Sequence, residues 1–201
     1  ILAVDQEIKS SITTLEALAT AEPLDVGAVR VFLEVAARIF DAQNNWQGLA
    51  LFDPQGGRLV AIAKPDVAET WLIHRASLEG VLRTRLPMID DLPAAGDSNG
   101  SAISIHVPVV RDRTVIYILS AFIDPRAFTE ILAQQKIPGE WLGTLFDSKQ
   151  LIIARSREAK QYFGKPIGPL LEQTNSLVDE QFLRGVADGG NRAYAPVSRS
   201  G

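Results

Sequence analysis

The two histidines of the chain, His74 and His106, are the first candidates for chemistry, because each could hold a ligand carboxylate or change charge near neutral pH. His106 lies in an alternating segment that predicts a strand. In a strand, Ser104 and His106 share one face, while Ile105 and Val107 share the other. We predict that Ser104 and His106 line the polar face of a ligand pocket. The alternative is a structural histidine bonded to a backbone group.

A second group of candidates precedes the long strands. Trp71, His74 and Arg75 stand at the start of a predicted helix, where they could offer an aromatic wall, a hydrogen-bond donor and a carboxylate clamp. Asp90 and Asp91 end a short predicted strand, and Asp90 could receive a ligand amine or a divalent cation. The alternatives are a hydrophobic staple with a solvated arginine, and a solvated acidic pair.

Tyr117 is the last ligand candidate, on the second of two long predicted strands. Alternation places Tyr117 and Leu119 on one face, and Ser120 and Phe122 on the other. The alternative for Tyr117 is a position in the core, where aromatic side chains stabilise by burial.

Composition excludes several functions. The chain has no cysteine, which excludes thiolate metal sites, thiol nucleophiles and disulfides. Its formal charge of −4 argues against nucleic acid as a partner. No phosphate loop, nucleophile elbow, histidine-pair metal helix or calcium loop occurs in the sequence. We therefore expect no catalytic residue, metal or cofactor. The enzyme alternative is a hydrolase built from Ser104, His106 and an acidic residue.

Hydrophobic spacing predicts the elements that position these residues. Apolar residues recur every three to four positions from Ile1 to Ala21, which indicates an amphipathic helix, and a second helix is expected from Asp25, as N-cap, to Asp41. Further along, the pattern predicts a hairpin (Gly48 to Phe52 and Leu59 to Ala63), a helix (Ile73 to Arg83), a short strand (Pro87 to Asp90), two long strands (Ala102 to Val110 and Thr114 to Ile123) and a helix capped by Asp124.

The second part of the chain repeats features of the first. A hairpin opened by Trp46 and turning at Asp53 has a counterpart opened by Trp141 and turning at Asp147. A later strand carries Pro108-Val109 in one half and Pro196-Val197 in the other. This order predicts an internal duplication, in which each tryptophan seals the start of a sheet. The repeat also predicts that the fragment ends inside its second module.

The order of elements resembles that of the double Cache family of extracytoplasmic bacterial sensors, whose modules have a PAS-like fold. The segments that carry the resemblance are the first helix, the hairpin Leu49 to Ala63, Arg85 to Leu92, the strand with Pro108-Val109, Ile123 to Phe128, Gly139 to Ser156, Phe163 to Ile167 and Ala193 to Val197.

The resemblance implies an α+β fold, with a long N-terminal helix and two PAS-like modules that contain antiparallel sheets, the second truncated. On this basis residues 1–45 form N-terminal signalling helices, 46–137 a membrane-distal ligand-binding module and 138–201 an incomplete membrane-proximal module. A periplasmic domain of an inner-membrane protein is expected, anchored by segments outside this fragment. Dimerisation along Ile1 to Leu18 is also expected.

The resemblance further implies a sensor that binds a small molecule and signals to a cytoplasmic histidine kinase of a two-component system. The alternatives are the sensor of a chemoreceptor or a diguanylate cyclase, and a protein-interaction module without a ligand. Members that bind amino acids hold the ligand amine with an aspartate on the last strand of the distal module, where this chain has Phe122. We therefore favour a carboxylate or other anion, held by Arg75 or His106.

Overall fold

A computed structural model describes residues 2–67, 73–92, 102–138, 141–167, 180–186 and 192–198, with the backbone alone in the last two ranges. The chain divides into two compact units. One is Ile8–Ala127, and the other combines Ile1–Glu7 with Phe128–Gly201. Each unit is described by itself below.

Two helices precede the first strand. Helix α1 is Leu2–Ala19, a 3₁₀ turn follows at Glu22–Leu24, and helix α2 is Val29–Asp41. The predicted N-cap at Asp25 is wrong, because α2 begins four residues later, after Gly27 enters the left-handed region at φ +68°. A positive φ interrupts a right-handed helix, and glycine adopts it without strain.

The first unit is built on a five-stranded sheet in which all paired strands are antiparallel. Its strands stand in the order β2-β1-β5-β4-β3, and helix α3 lies between β2 and β3 in the sequence. The elements are β1 (Trp46–Phe52), β2 (Arg58–Ala63), α3 (Arg75–Thr84), β3 (Met88–Ile89), β4 (Ile103–Arg111) and β5 (Thr114–Ile123). Helix α4 (Pro125–Gln134) follows and continues into the second unit.

One face of the sheet packs against α2. Phe32 and Ala36 of this helix are buried, and with Leu49, Leu51 and Leu119 of the sheet they border a narrow apolar crevice. Its lining offers carbon atoms and no polar side chain. This face therefore serves as hydrophobic core.

The opposite face of the sheet packs against α3. Ala50, Phe52, Ile118 and Phe122 form a buried cluster with Val81 of the helix. Along the sheet the two faces alternate as the sequence predicts, so residues of even number in the middle of β4 and β5 lie on the α3 face.

The pairing of β4 with β5 contains one extra residue. The turn between them has Asp112 and Arg113 at positive φ, as a two-residue hairpin requires. Val110 pairs with Val115, yet Val109 pairs with Tyr117, so Ile116 is left over as a β-bulge. The bulge shifts the register by one residue in the rest of the hairpin.

The tip of this hairpin holds the end of α1. The Arg111 Nη2 donates to the carbonyl oxygen of Ala19 at 3.0 Å, and its Nε donates to the carboxylate of Asp25. The last carbonyls of a helix have no partner within the helix, so Arg111 satisfies one of them. Asp25 thus serves as an ion-pair partner rather than as the N-cap that the sequence predicted.

Asp124 caps α4 as predicted. Its Oδ1 accepts a hydrogen bond from the backbone nitrogen of Arg126 at 2.9 Å, and its backbone nitrogen donates to the carbonyl of Asn45. The cap therefore also fixes the start of α4 against the residue that precedes β1.

The second unit contains shorter elements. They are β6 (Thr144–Phe146), β7 (Ile152–Arg155), α5 (Ala159–Tyr162), β8 (Glu180–Val186) and β9 (Arg192–Ser198), and the strands pair as β6-β7 and β8-β9. Pro196 lies in β9, as Pro108 lies in β4. The α+β class, the N-terminal helix and the antiparallel pairing are confirmed.

The two repeated hairpins share one turn. In the first, Oδ1 of Asp53 accepts hydrogen bonds from the backbone nitrogens of Gln55 and Gly57. In the second, Oδ1 of Asp147 accepts them from Lys149 and Leu151. The same side chain in the same position therefore closes both turns, which confirms the predicted repeat at this level.

The two tryptophans differ. Trp46 is fully buried, and its indole nitrogen donates to the Ser11 hydroxyl at 3.0 Å. Trp141 is 48% exposed and lies outside a strand. The prediction that Trp141 seals a sheet is wrong, because β6 begins three residues later and pairs, in the described part of the chain, with β7 alone.

Within the described ranges, no helix combines the length and the apolar character that a membrane crossing requires.

Candidate functional site

His106 lies at the centre of the most polar buried cluster on the α3 face of the sheet. It is fully buried on β4, directly opposite Ser120 of β5. Its Nδ1 is 2.7 Å from the Ser120 hydroxyl, and its Nε2 is 3.0 Å from Oδ2 of Asp90. Both ring nitrogens are therefore engaged.

Asp90 joins this cluster to α3. It follows β3, and its side chain is 5% exposed. Its Oδ1 accepts a hydrogen bond from the Ser77 hydroxyl of α3, and its backbone nitrogen donates to the Ser104 carbonyl at 2.9 Å. Ser120, His106, Asp90 and Ser77 thus form a continuous series of hydrogen bonds from β5 to α3, called the polar chain below.

The polar chain controls the charge of Asp90. Burial raises the pKa of this carboxyl, but the hydrogen bond and charge of His106, the bond from Ser77 and the nearby His74 outweigh it, so that the pKa is lowered overall. Asp90 is therefore a buried carboxylate at neutral pH. The Ser120 hydroxyl can rotate, so it can either donate to Nδ1 of His106 or accept from it.

This arrangement does not support a hydrolase. The serine bonded to His106 is Ser120, not the predicted Ser104, and the Ser120 hydroxyl belongs to a residue with no exposed surface. A nucleophile must reach its substrate, so a buried hydroxyl between two strands serves as a structural partner. No group of three or more acidic or histidine side chains within the described ranges converges as a metal site.

The structure brings some predicted residues together. His74 is half-buried at the start of α3 and close enough to Asp90 for its charge to lower the pKa of that carboxyl. Ser104 is buried beside His106 on the same face of β4. His74, Asp90, Ser104 and His106 therefore belong to one region.

Other predicted residues lie elsewhere. The Arg75 side chain is 91% exposed and bonds to Glu79 at 2.8 Å; this bond, with the charge of Glu79, raises the pKa of Arg75. Tyr117 pairs with Val109 on the α2 face, and its hydroxyl points toward Gly27. Trp71 lies outside the described residues. Arg75 and Tyr117 are therefore not neighbours of His106 in this structure.

Sequence reasoning missed Ser77 and Ser120. Ser77 lies on the buried side of α3, three residues after His74, and the helical period could have indicated it. Ser120 was placed on the correct face by alternation, but its position opposite His106 depends on the bulge at Ile116. The sequence carries no clear signal for that bulge.

No protein-family model matches the sequence, and no curated protein sequence matches it. Solved structures do match. The ligand-binding domain of the Campylobacter jejuni chemoreceptor Tlp3 in complex with L-norvaline aligns over 95% of this chain and 78% of its own, with a TM-score of 0.62 and 16% identity.

Two Pseudomonas aeruginosa domains are similar in the same way. That of the amino acid chemoreceptor PctB in complex with L-Arg aligns over 95% of this chain and 80% of its own, with a TM-score of 0.62 and 12% identity. That of PctC in complex with GABA aligns over 98% of this chain and 93% of its own, with a TM-score of 0.58 and 14% identity. The chain therefore has the fold of the Cache-type sensor domains, as the resemblance predicted.

Proposed function

We propose that this chain is the ligand-sensing part of a membrane-anchored bacterial receptor, and that it binds a small molecule on the α3 face of its five-stranded sheet. The observation that carries the proposal is the polar chain, which places an ionised carboxylate on a face that is otherwise lined by apolar side chains. A few convergent polar groups in an apolar setting are the usual composition of a ligand site. The shared fold with ligand-binding domains supports it.

The charge of the site favours a ligand with an ammonium group. Asp90 is ionised, and its neighbours His74 and His106 are the nearby groups that could offset it. L-norvaline, L-Arg and GABA, which similar domains bind, all carry such a group. The anion favoured by the sequence stays a prediction, and Arg75 gives it little support because this arginine is exposed and paired with Glu79.

Movement of α3 would report binding. The Asp90 carboxylate bonds to α3 through Ser77 and to the sheet through His106. A ligand ammonium that donates a hydrogen bond to this carboxylate would weaken one of these two bonds. A ligand can shift a conformational equilibrium only by its preference for one state, typically about 1–3 kcal/mol of coupling. Loss or gain of one charged hydrogen bond is of that size.

The output is proposed from the same comparison. We favour a chemoreceptor as the output protein over the histidine kinase that the sequence favoured, because the similar domains belong to chemoreceptors. A periplasmic location, a membrane anchor formed by residues other than these, and dimerisation along α1 belong to the same proposal.

A thermal-shift screen of amino acids, amines and dicarboxylates tests the proposal. A ligand at 100 times its dissociation constant adds about 2.7 kcal/mol to the stability of the folded state. We expect an ammonium-bearing compound to raise the Tm, and Asp90→Asn to abolish that shift. Glu79→Gln is the matched control, since it removes an exposed carboxylate of α3 that the polar chain does not contact.

The opposite results are equally informative. A Tm that none of these compounds changes would contradict small-molecule sensing and favour a protein-interaction module. A shift that survives Asp90→Asn would place the ligand away from the polar chain.

A further inference from the structure

The second unit holds a group of cations that the proposed sensing site does not use. The guanidinium carbon of Arg155, at the end of β7, lies 3.8 Å from the centre of the Tyr162 ring, and Nζ of Lys165 lies 5.7 Å from the same centre. An aromatic ring attracts a cation over its face. Two cations near one ring also repel each other, and a bound anion would relieve that repulsion.

The Nε atom of Arg155 is buried but has no hydrogen-bond acceptor in the described part of the chain. Among the described residues, it is the one buried side-chain polar atom without a hydrogen bond. A buried donor without an acceptor is costly, and native structures rarely leave one so. Contact with the Tyr162 ring also restrains the plane of the Arg155 guanidinium group. The N–H donors of that group lie in this plane and point outward from its edge.

The surrounding charge is positive. Residues 141–167 contain five lysines and arginines and two acidic residues, a net charge of +3 in a chain whose formal charge is −4. One of the two acids, Asp147, already accepts two backbone hydrogen bonds in the hairpin turn. Within the described ranges, neither Arg155 nor Lys165 forms a salt bridge.

From these observations we infer that Arg155, Lys165 and the Tyr162 ring form a binding site for an oxyanion of phosphate type. A planar guanidinium with fixed donors matches phosphate oxygens, and a lysine ammonium supplies a second positive charge. The phosphate could belong to a small metabolite or to the headgroup of an anionic lipid, since both present the same oxygens. The site lies in the second unit and is independent of the polar chain.

The test is a titration of the whole chain with inorganic phosphate, followed by NMR at the arginine Nε–H resonances. We expect the Arg155 Nε–H signal to shift as phosphate binds to the guanidinium group, with saturation below about 10 mM phosphate. Lys165→Gln should weaken binding about tenfold, because one charged contact is lost. This side chain is exposed, so its replacement leaves the fold intact.

Lys160→Gln is the matched control, because it removes an equal charge from the exposed surface of α5 without touching the Tyr162 ring. We expect its affinity to stay within about twofold of the original, a change of under half a kcal/mol. Parallel titrations use vesicles of phosphatidylcholine with and without phosphatidylglycerol. Binding to the anionic vesicles but not to free phosphate would assign the site to a lipid headgroup.

Two results would overturn the site. One is an unchanged Arg155 signal with both phosphate and anionic vesicles, which would leave only a structural stack on Tyr162. The other is an equal loss for Lys160→Gln and Lys165→Gln, which would show general attraction by the positive segment.

Discussion

The two repeated hairpins have the same turn and different surroundings. Asp53 and Asp147 close their turns by the same two hydrogen bonds, and both hairpins shift register at the residue before the aspartate. Strand β1, however, pairs on both sides with β2 and β5, whereas β6 pairs with β7 alone in the described chain. The turn is thus a local property of the sequence, and the burial of a hairpin depends on distant partners.

The largest expected difference between the hairpins concerns their tryptophans. Trp46→Ala should lower the free energy of unfolding by about 3–5 kcal/mol, because it leaves a cavity in the core and removes the partner of the Ser11 hydroxyl. Trp141→Ala should cost less than about 1 kcal/mol, as surface substitutions usually do. Urea unfolding followed by far-UV circular dichroism measures both. Equal losses would mean that the two hairpins are buried alike.

The next difference concerns the dependence of folding stability on pH. We expect the loss of stability in acid to be confined to the first unit. The pKa of Asp90 is lower in the folded protein than its ordinary value, so the unfolded chain takes up the proton at a higher pH. The stabilisation is complete above about pH 4 and is lost as the pH falls through the folded-state pKa. Amide exchange between pH 5 and 3 should show α3 and β4 losing protection.

Asp90→Asn provides the control for that prediction. The variant keeps most of the volume but loses the charge, and we expect about 1–3 kcal/mol less stability at pH 7. Its stability should also depend less on pH than that of the original protein. An unchanged slope would mean that other carboxylates, such as Asp124, whose pKa is also lowered, account for the acid sensitivity.

A smaller difference is expected at the third residue after each aspartate. Gly56 and Gln150 occupy equivalent positions, with φ of +86° and +64°. Gly56→Gln should cost more than about 1 kcal/mol, because of that φ and because an added Cβ would lie 3.2 Å from Leu78 of α3. Gln150→Gly should gain at most about 1 kcal/mol, since relief of strain is offset by greater freedom of the unfolded chain.

Chemical denaturation of the two variants, with the original protein as reference, measures these values. A loss of stability for Gln150→Gly would show that the glutamine side chain makes a contact that compensates for its backbone conformation.

Much of the fold could be predicted, because it depends on local pattern. The limits of β5 agree with the alternation of Thr114 to Ile123, and Asp124 caps α4 as its type and position indicate. The start of α2 could not be predicted in the same way. Asp25 has the residue type of an N-cap, but Arg111 binds it from a distant hairpin.

The polar chain could be predicted only in part, because its pairing depends on strand register. Counting back from the turn at Asp112 and Arg113 without a bulge would put Leu119 opposite His106, and an apolar side chain would then face the imidazole. The extra Ile116 brings Ser120 there instead. The pairing of His106 with Asp90 is likewise a tertiary contact across two strands, which spacing alone does not encode.

The bond from Arg111 to α1 has a mechanical consequence. Strand β4 carries His106 near its middle and Arg111 at its end, five residues away, a distance of about 17 Å along an extended strand. From His106 to Arg111 the strand is paired with β5, and at its end the Arg111 guanidinium donates to the carbonyl oxygen of Ala19. Strand β4 therefore forms a direct covalent link between the polar chain on the α3 face and the arginine that bonds to the last turn of the N-terminal helix.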